Sequence, residues 1–326
     1  MVKVAVLGAG VNGLTCAMRI KEEYKNVDVT LISQDFSPDT TGDGSGGLWL
    51  PYLCGSTPSH LLRKWGIETY RYLHELWLET GYDVSVMPIY NLRRKARDLE
   101  TPEWSKDVSV RQFSGYRPYR KGHGVPTFIL EFPRKLEASF HLRFTKAGGR
   151  IVRATVRSLT DELLDSYEII VNCTGLGSRD IVRDPSVFST RGQIIKVNAL
   201  WLNAVVMDTD NGHYIIPNPK MCVLGGTHQE HDYNSRVDEQ DAEMIRTGCT
   251  VMRPSLEHAE TLSHWVGLRP CRSEVRLEKE YRDGRIFVHN YGHGGSGFTL
   301  FWGCSNDVLG LLREHLDQYN SVPCKL

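Results

Sequence analysis

Three glycines near the start of the chain have the spacing of a nucleotide-binding turn. A short apolar run, Val2 to Leu7, leads into Gly8, Gly10 and Gly13, and a helical pattern follows. Between a strand and a helix, such glycines permit a tight turn, close approach of backbone to a pyrophosphate, and close packing of helix on strand. The helix N-terminus then offers N–H groups and a positive dipole end to phosphates. The alternative is a purely structural turn. The predicted dinucleotide contacts are Gly8, Ala9, Gly10, Val11, Asn12 and Gly13.

The second predicted strand, Asp28 to Ser33, is followed by a loop that favours FAD over NAD. An acidic residue at the strand end normally binds the adenosine ribose. Here the chain reads Ser33-Gln34-Asp35, and Gln34 or Asp35 could serve although the fit is imperfect. All three residues are predicted cofactor contacts. The long loop from Asp35 to Tyr52 is rich in hydroxyl and backbone N–H groups, which can wrap a second phosphate and the edge of a bulky ring. The loop residues expected to contact the cofactor are Thr40, Thr41, Gly46, Gly47 and Leu48.

Composition excludes several classes of function. The chain has 326 residues with 39 basic and 39 acidic side chains, so no overall field favours nucleic acid or an anionic membrane. No apolar run is long enough to span a bilayer. The eight cysteines are scattered, without Cys-x-x-Cys spacing or a Cys/His cluster. We therefore expect no metal, no membrane, no nucleic-acid partner and a reducing compartment.

The remaining pattern predicts an α/β fold in which an FAD-binding, Rossmann-like parallel sheet domain is interleaved with a mainly antiparallel-sheet substrate domain. A strand ending at Val156 and a strand followed by Thr174 and Gly175 belong to the first domain, and all three residues are expected at the cofactor. Short alternating strands after Arg191 indicate the second domain. Residues 90–125 look irregular, with surface loops and an edge strand. The predicted FAD domain comprises 1–52, 136–183 and 282–326, and the substrate domain 53–135 and 184–281.

These segments resemble the D-amino-acid oxidase family of FAD enzymes, which includes D-aspartate oxidases. The motifs that carry the resemblance are GAGVNGL, SPDTTGDGSGGLWLPY, IIVNCTGLGSR, RGQIIKV, YIIP, VLGGTHQ, VGLRPCRSEVRLE and HNYGHGGSGFTLFWG. The resemblance implies that a D-amino acid, O2 and water give a 2-oxo acid, ammonia and hydrogen peroxide, with hydride passing from Cα to flavin N5 and the imino acid then hydrolysing. Such chemistry depends on orientation of the substrate rather than on a strong base.

The resemblance also implies roles for individual residues. Arg269 matches the arginine that grips the substrate α-carboxylate, for which a planar guanidinium is suited. Tyr214 matches the tyrosine that donates to the same carboxylate, and the Gly295 carbonyl would accept from the amine. Tyr52 would line the pocket. A structural salt bridge for Arg269 and a core position for Tyr214 are the alternatives.

The glycines of HNYGHGGSGFTLFWG are expected to let backbone lie against the flavin. A helix predicted over Phe298 to Leu312 would then direct its positive N-terminus at the N1–C2=O edge of the ring. Packing or hydrogen bonding is the favoured role for His289 and His293, rather than base catalysis. The predicted contacts in this segment are Gly294, Gly295, Ser296, Gly297, Phe298 and Thr299, and Ser296 is also predicted to bind substrate.

Two positions bear on the substrate side chain. D-Aspartate oxidases carry an arginine where this chain has His228, and a second arginine where Met207 is nearest. Because imidazole can still pair with an acid when protonated, acidic substrates, D-aspartate and D-glutamate, are the first expectation. Neutral D-amino acids or a glycine/sarcosine-type amine oxidase are the alternatives. A nicotinamide-dependent dehydrogenase and a flavin-binding protein without turnover are more distant ones.

The sequence ends in Cys324-Lys325-Leu326. This tripeptide is similar to the peroxisomal address Ser-Lys-Leu. It predicts recognition by the peroxisomal import receptor and a place in the peroxisomal matrix. Formation of a homo-oligomer is left open.

Overall fold

A computed structural model describes residues 2–79, 82, 84–93, 111–114, 121–130 and 133–320. The predicted targeting tripeptide lies outside these residues. The described helices are α1 (Val11–Glu23), α2 (Ser59–Leu78), α3 (Pro133–Lys146), α4 (Ser178–Ile181), α5 (Glu239–Met252) and α6 (Gly297–Asn320). The described strands are β1 (Lys3–Leu7), β2 (Asp28–Ser33), β3 (Val84–Arg93), β4 (Arg111–Ser114), β5 (Lys121–Leu130), β6 (Arg150–Arg153), β7 (Ile169–Asn172), β8 (Phe188–Val197), β9 (Val205–Asp208), β10 (Tyr214–Asn218), β11 (Met221–Gly225), β12 (Gln229–Glu230), β13 (Thr261–Cys271), β14 (Arg276–Arg282) and β15 (Arg285–Tyr291).

The first sheet has six strands in the order β14-β15-β7-β1-β2-β6. All neighbouring pairs are parallel except β14 with β15. The central strands KVAVL and IIVN are almost continuously apolar and buried, as expected for a parallel sheet covered on both faces. Carboxyl ends of β1, β2 and β7 therefore meet at one edge, where ligands of open α/β sheets bind.

Alternation along β1 separates the two faces of this sheet. Val4 and Val6 pack into a core with residues of α1, α3 and α6, whereas Ala5 and Leu7 pack with Ile170 on the opposite face. Helix α1 follows β1 after a three-residue turn, so its N-terminus lies at the carboxyl edge of the sheet. The predicted strand–turn–helix context of the first three glycines is confirmed.

The second sheet has nine strands, in the order β12-β8-β11-β10-β9-β3-β5-β4, with β13 also paired to β8. Only the β3–β9 pair is parallel among its described pairings. On β13, residues 265, 267 and 269 share one face, because side chains of a strand alternate. These residues, together with residues of β8 and β10, line a cavity that is also lined by the carboxyl edge of the first sheet.

Residues 90–125 differ from the irregular structure predicted for them. The described part of this region contributes to β3, β4 and β5, which form one end of the nine-stranded sheet. Glycines, prolines and charges conceal the strand alternation, because these strands are held by pairing with one another rather than by a continuous apolar pattern. For the described residues the prediction of surface loops was therefore wrong, whereas the predicted edge strand is confirmed by β4 at the end of the sheet order.

The domain boundaries remain a prediction, but two elements pack with the domain to which the sequence did not assign them. Strand β14 belongs to the six-stranded sheet, although most of it falls within the segment 184–281 assigned to the substrate domain. Helix α2 packs against α6, although it falls within 53–135: Tyr72 stacks on Trp302 with ring centroids 3.5 Å apart. Both elements are placed by contacts with segments that are distant in sequence, which the local pattern does not show.

Candidate active site

A cavity of about 520 Å³ lies where the carboxyl edge of the six-stranded sheet meets the face of the nine-stranded sheet. Its lining includes most of the predicted cofactor contacts. Those on the lining are Gly8, Ala9, Gly10, Val11, Asn12, Ser33, Gln34, Asp35, Thr40, Thr41, Gly46, Gly47, Leu48, Val156, Thr174, Gly175, Gly294, Gly295, Gly297 and Phe298. The predicted substrate contacts Tyr52, Tyr214 and Arg269 line the same cavity.

The first glycine turn forms a cradle at one end of the cavity. Gly8 has φ +94°, and a Cβ there would lie 2.5 Å from the Cys173 carbonyl oxygen, so only glycine fits. A Cβ on Gly10 would have no neighbour within 4 Å, and Gly10 caps α1 without a side-chain hydrogen bond. An exposed helix N-terminus beside an open backbone surface is the arrangement that binds a pyrophosphate. The cradle therefore fits a dinucleotide such as FAD.

The adjoining loop is ordered by one buried carboxylate. Asp43 accepts hydrogen bonds from the Ser37 hydroxyl at 2.6 Å and from the backbone N–H and hydroxyl of Thr40 at 2.9 and 2.7 Å. Ser33 links the start of this loop to the first glycine turn, because its hydroxyl accepts from the Ala9 N–H at 3.1 Å and donates to the Asp35 carbonyl. The loop thus has internal support before any ligand contacts it.

Three predicted cofactor residues, Gly13, Ser296 and Thr299, are not on the cavity lining. Gly13 lets α1 approach the turn, since a Cβ there would lie 1.9 Å from the Gly8 carbonyl oxygen. The Ser296 hydroxyl accepts from the Tyr52 N–H at 2.6 Å and donates to its carbonyl at 2.8 Å. The Thr299 hydroxyl bonds Leu50 in the same two-way manner. Both hydroxyls hold the chain segment that carries Tyr52.

Arg269 is fixed by backbone carbonyls. Its Nη1 donates to the Thr227 carbonyl at 3.0 Å and to the Arg191 carbonyl at 3.4 Å. A Cβ on Gly192 would lie 2.2 Å from both Nη1 and Nη2, so the guanidinium lies flat on the Gly192 backbone. The guanidinium carbon is 5.8 Å from the Tyr52 ring centroid. No ion pair of Arg269 is found among the described residues, which weighs against the structural salt bridge as its role.

Tyr214 lies beside Arg269 and is accommodated by two glycines. A Cβ on Gly225 would lie 2.1 Å from its ring carbon Cζ, and one on Gly226 would lie 2.3 Å from Cε1. Burial raises the pKa of Tyr214, although the nearby Arg269 charge acts in the opposite direction. The phenol therefore keeps its proton at neutral pH and can donate a hydrogen bond. Burial likewise raises the pKa of Tyr52.

Gly294 and Gly295 bring backbone against the Tyr52 segment. Gly294 has φ +54°, donates its N–H to the Pro270 carbonyl at 2.9 Å, and leaves no room for a side chain beside the Leu53 carbonyl. A Cβ on Gly295 would lie 2.5 Å from the Tyr52 ring. Gly295 thus lies on the cavity lining beside Tyr52.

The sequence did not identify the supporting glycines Gly192, Gly225 and Gly226. Their signal was present in RGQ and LGGT, where glycines interrupt strands that otherwise alternate, and such glycines often mark a close approach. Further lining residues were also missed, because segments distant in sequence bring them to the cavity. They are Leu7, Ile32, Asp39, Gly42, Gly44, Ser45, Leu50, Ala154, Thr155, Cys173, Leu176, Gly177, Ile181, Ile194, Ile216, Trp265, Gly267, Pro270, Asn290, Tyr291 and His293.

The two positions weighed for the substrate side chain differ in their placement. Met207 lines the cavity, whereas His228 is exposed and is not on the lining. His228 lies against Gly212, whose Cβ would be 3.2 Å from the imidazole Cε1. Within the described lining, Arg269 is the one side chain with a permanent positive charge.

Both histidines of the glycine-rich segment are buried. Burial lowers the pKa of His293 to about 4, and burial together with the Arg276 charge lowers that of His289 to about 4. The Glu280 carboxylate, 3.2 Å from Nε2 of His289, opposes the second shift without overcoming it. Both rings are thus neutral near pH 7, in keeping with packing or hydrogen-bonding roles.

In the described ranges, no helix has the length and apolar character required to cross a membrane. The same residues contain no group of three or more His, Cys, Asp or Glu side chains placed to hold a metal ion.

A glycine cradle on a parallel sheet, facing an antiparallel sheet that carries an anchored arginine, defines a two-domain flavoenzyme architecture. The model of the FAD dependent oxidoreductase family matches residues 3–308. D-amino acid oxidase of Dugesia ryukyuensis is 36% identical over 331 residues, covering 96% of this chain and 98% of that protein. D-aspartate oxidase of Homo sapiens is 33% identical over 325 residues, covering 96% and 95%. The solved structure of glycine oxidase from Bacillus cereus shares the fold, with TM-score 0.81 and 18% identity over 97% of this chain and 100% of that chain.

The chain belongs to the FAD-dependent oxidoreductase family, and its cofactor is FAD. The resemblance to D-amino-acid oxidases inferred from the motifs is confirmed, as are the fold class and the choice of FAD over a nicotinamide.

Proposed function

We propose that the protein oxidises D-amino acids with O2 to imino acids and hydrogen peroxide, and that water then hydrolyses the imino acids to 2-oxo acids and ammonia. The observation that carries this proposal is the shared cavity, which is lined by the anchored Arg269, the protonated Tyr214 and the glycine cradle. The names of two relatives, D-amino acid oxidase and D-aspartate oxidase, support it.

In this proposal the substrate carboxylate is held by Arg269 and Tyr214. A guanidinium has five N–H donors in one plane, so anchoring through Nη1 leaves donors for a carboxylate. The Tyr214 hydroxyl donates to the same group, and the Gly295 carbonyl accepts from the α-amine. Bound FAD supplies the redox chemistry, as acceptor of the hydride from Cα and as donor of the electrons to O2.

A strong protein base is not required when the amine arrives neutral. His293 on the cavity lining has a pKa of about 4 and is a weak base at neutral pH. Fixed donors on the carboxylate and one acceptor on the amine define the orientation of Cα. Such positioning accounts for a large share of rate enhancement in reactions of this kind.

The described lining favours a substrate with an uncharged side chain. Beyond Arg269, the surroundings of Tyr214 are apolar: Met207, Ile216 and Leu50 line the cavity nearby. A second carboxylate placed there would lose its water without gaining a cation, which is costly. We therefore favour neutral D-amino acids, which the sequence left as the alternative.

A preference for D-aspartate requires His228 to act from outside the described lining. That preference, the first expectation from the motifs, stays a prediction. If His228 pairs with an acidic side chain, the variant His228→Gln lowers kcat/KM for D-aspartate relative to D-alanine. A ratio that is unchanged in the variant rejects the histidine role.

The experiment that tests the function is a peroxide assay over a panel of D-amino acids, with the L-enantiomers, glycine and sarcosine as controls. We expect turnover of neutral D-amino acids and none of their L-enantiomers. Peroxide from glycine or sarcosine alone would instead favour the other class of amine oxidase. Absence of peroxide from every compound, in protein that holds FAD, would reject the proposal.

A further inference from the structure

The segment Gly44–Gly47, here called the glycine loop, lines the cavity with four consecutive residues, three of them glycine. Glycine loses more conformational freedom on ordering than any other residue. The Asp43 carboxylate fixes the loop on its N-terminal side. The glycine loop therefore depends on contacts with neighbouring side chains to hold one conformation.

The indole of Trp265 supports this loop from the nine-stranded sheet. An ideal Cβ on Gly44 would lie 2.0–2.1 Å from Cε2, Cδ2 and Cζ2 of Trp265, so the face of the indole packs on the Gly44 backbone. A Cβ on Gly267 would lie 2.1 Å from Cη2 of the same ring. The indole thus spans from its own strand to the loop, and it also lines the cavity.

A second side chain completes the support. A Cβ on Gly46 would lie 2.7 Å from Cδ1 of Ile216. Trp265 and Ile216 belong to one apolar cluster on the face of the sheet, together with Ile194, which is the β8 partner of Trp265. Gly44, Gly46 and Gly267 therefore make room for these side chains, in addition to any contact with a ligand.

We propose that Trp265 is a positioning residue for FAD binding, acting by holding the glycine loop in the shape that receives the cofactor. Without the indole, the apoprotein holds that shape for a smaller fraction of the time. Apparent affinity falls in proportion to the populated fraction of the competent state. A decrease of that fraction to about one tenth would raise the Kd for FAD about tenfold.

The test compares FAD binding by the apoproteins of the variants Trp265→Ala and Trp265→Phe with that of the unaltered protein, by titration of flavin fluorescence. Trp201→Ala is the matched control, because Trp201 is 55% exposed and bonds Ser255 on the surface. We expect Kd to rise about tenfold or more for Trp265→Ala, and about threefold or less for Trp265→Phe, whose ring restores part of the contact. The control should leave Kd unchanged.

A role confined to general packing would lower the melting temperature of the apoprotein and leave the FAD Kd unaltered. That result, or a Kd within about twofold of the unaltered protein for Trp265→Ala, would overturn the proposal. If Trp265→Ala does not fold, Gly44→Ala decides, since its Cβ displaces the indole from the loop. Unaltered FAD affinity of Gly44→Ala would then reject the proposal. All these readouts concern FAD binding, so they do not depend on the proposed substrate.

Discussion

At the carboxyl edge of the six-stranded sheet, a Cβ on Gly10 would point into open cavity, whereas on the face of the nine-stranded sheet a Cβ on Gly192 would strike the guanidinium of Arg269. The first region offers backbone and a helix N-terminus to its ligand. The second offers side chains, and its glycines make room for them. Glycine therefore leaves room for a ligand in the first region and for a neighbouring side chain in the second.

This difference separates two kinds of recognition. A pyrophosphate is bound by N–H groups and a helix dipole, which do not depend on side-chain identity. A small zwitterion is bound by a few oriented side chains, whose loss leaves little else to replace them. Substitutions in the two regions should therefore affect FAD binding and substrate turnover separately.

The largest difference between the effects on substrate turnover and on FAD binding is expected from Arg269→Ala. Truncating one partner of a close charge pair costs about 2–5 kcal/mol, which is roughly 30-fold to 4000-fold in kcat/KM. Steady-state kinetics with D-alanine and the flavin absorbance of the purified protein measure the two effects. Arg269→Lys should recover only part of the loss, since an ammonium is not a planar, bidentate donor. If the variant lost FAD in parallel with activity, the two regions would not act separately on cofactor binding and turnover.

Gly192→Ala tests whether a glycine alone can misplace the arginine. The added methyl group must displace the guanidinium, and overpacking of this kind costs about 1–3 kcal/mol. We expect KM for D-alanine to rise about 5-fold to 150-fold, while FAD affinity is retained. Gly310→Ala is the control, because its Cβ has no neighbour within 4 Å. An unchanged KM would show that the contact does not position Arg269.

Gly10→Ala tests the opposite region. Its methyl group has room in the apoprotein, so the melting temperature should not fall. It occupies space next to the N-terminus of α1, where we expect it to raise the Kd for FAD about tenfold. KM of the fraction that holds FAD should be unchanged. Unaltered FAD affinity would mean that the backbone at Gly10 is not approached by the cofactor.

The last prediction concerns the pH dependence of folding stability rather than binding or turnover. Because the pKa values of His289 and His293 are about 4 in the folded protein and about 6.5 when unfolded, their stabilising effect is complete above about pH 6.5. It is lost as the pH falls toward 4, by at most about 1.4 kcal/mol per pH unit for each histidine. Urea unfolding of apoprotein between pH 7 and 4.5 measures this slope. His293→Phe should reduce it, and an identical slope would contradict the assignment.

Local pattern was enough to predict the parallel sheet, the first glycine turn and the helix that begins near Phe298. Those elements depend on alternation, helical spacing and glycine within one stretch of sequence. The supports of Arg269 were not predictable in this way, because Thr227, Arg191 and Gly192 become its neighbours only through strand pairing. The bonds of Ser296 and Thr299 to residues 50–52 were likewise not predictable, since they span more than 240 positions.

A crystal structure of the FAD-bound protein soaked with D-alanine in the absence of oxygen would show directly how the substrate is held. We expect the carboxylate to lie between the Arg269 guanidinium and the Tyr214 hydroxyl, with the nitrogen near the Gly295 carbonyl. A ligand held by other groups, with Arg269 and Tyr214 directed away from it, would rule out the proposed roles of both residues.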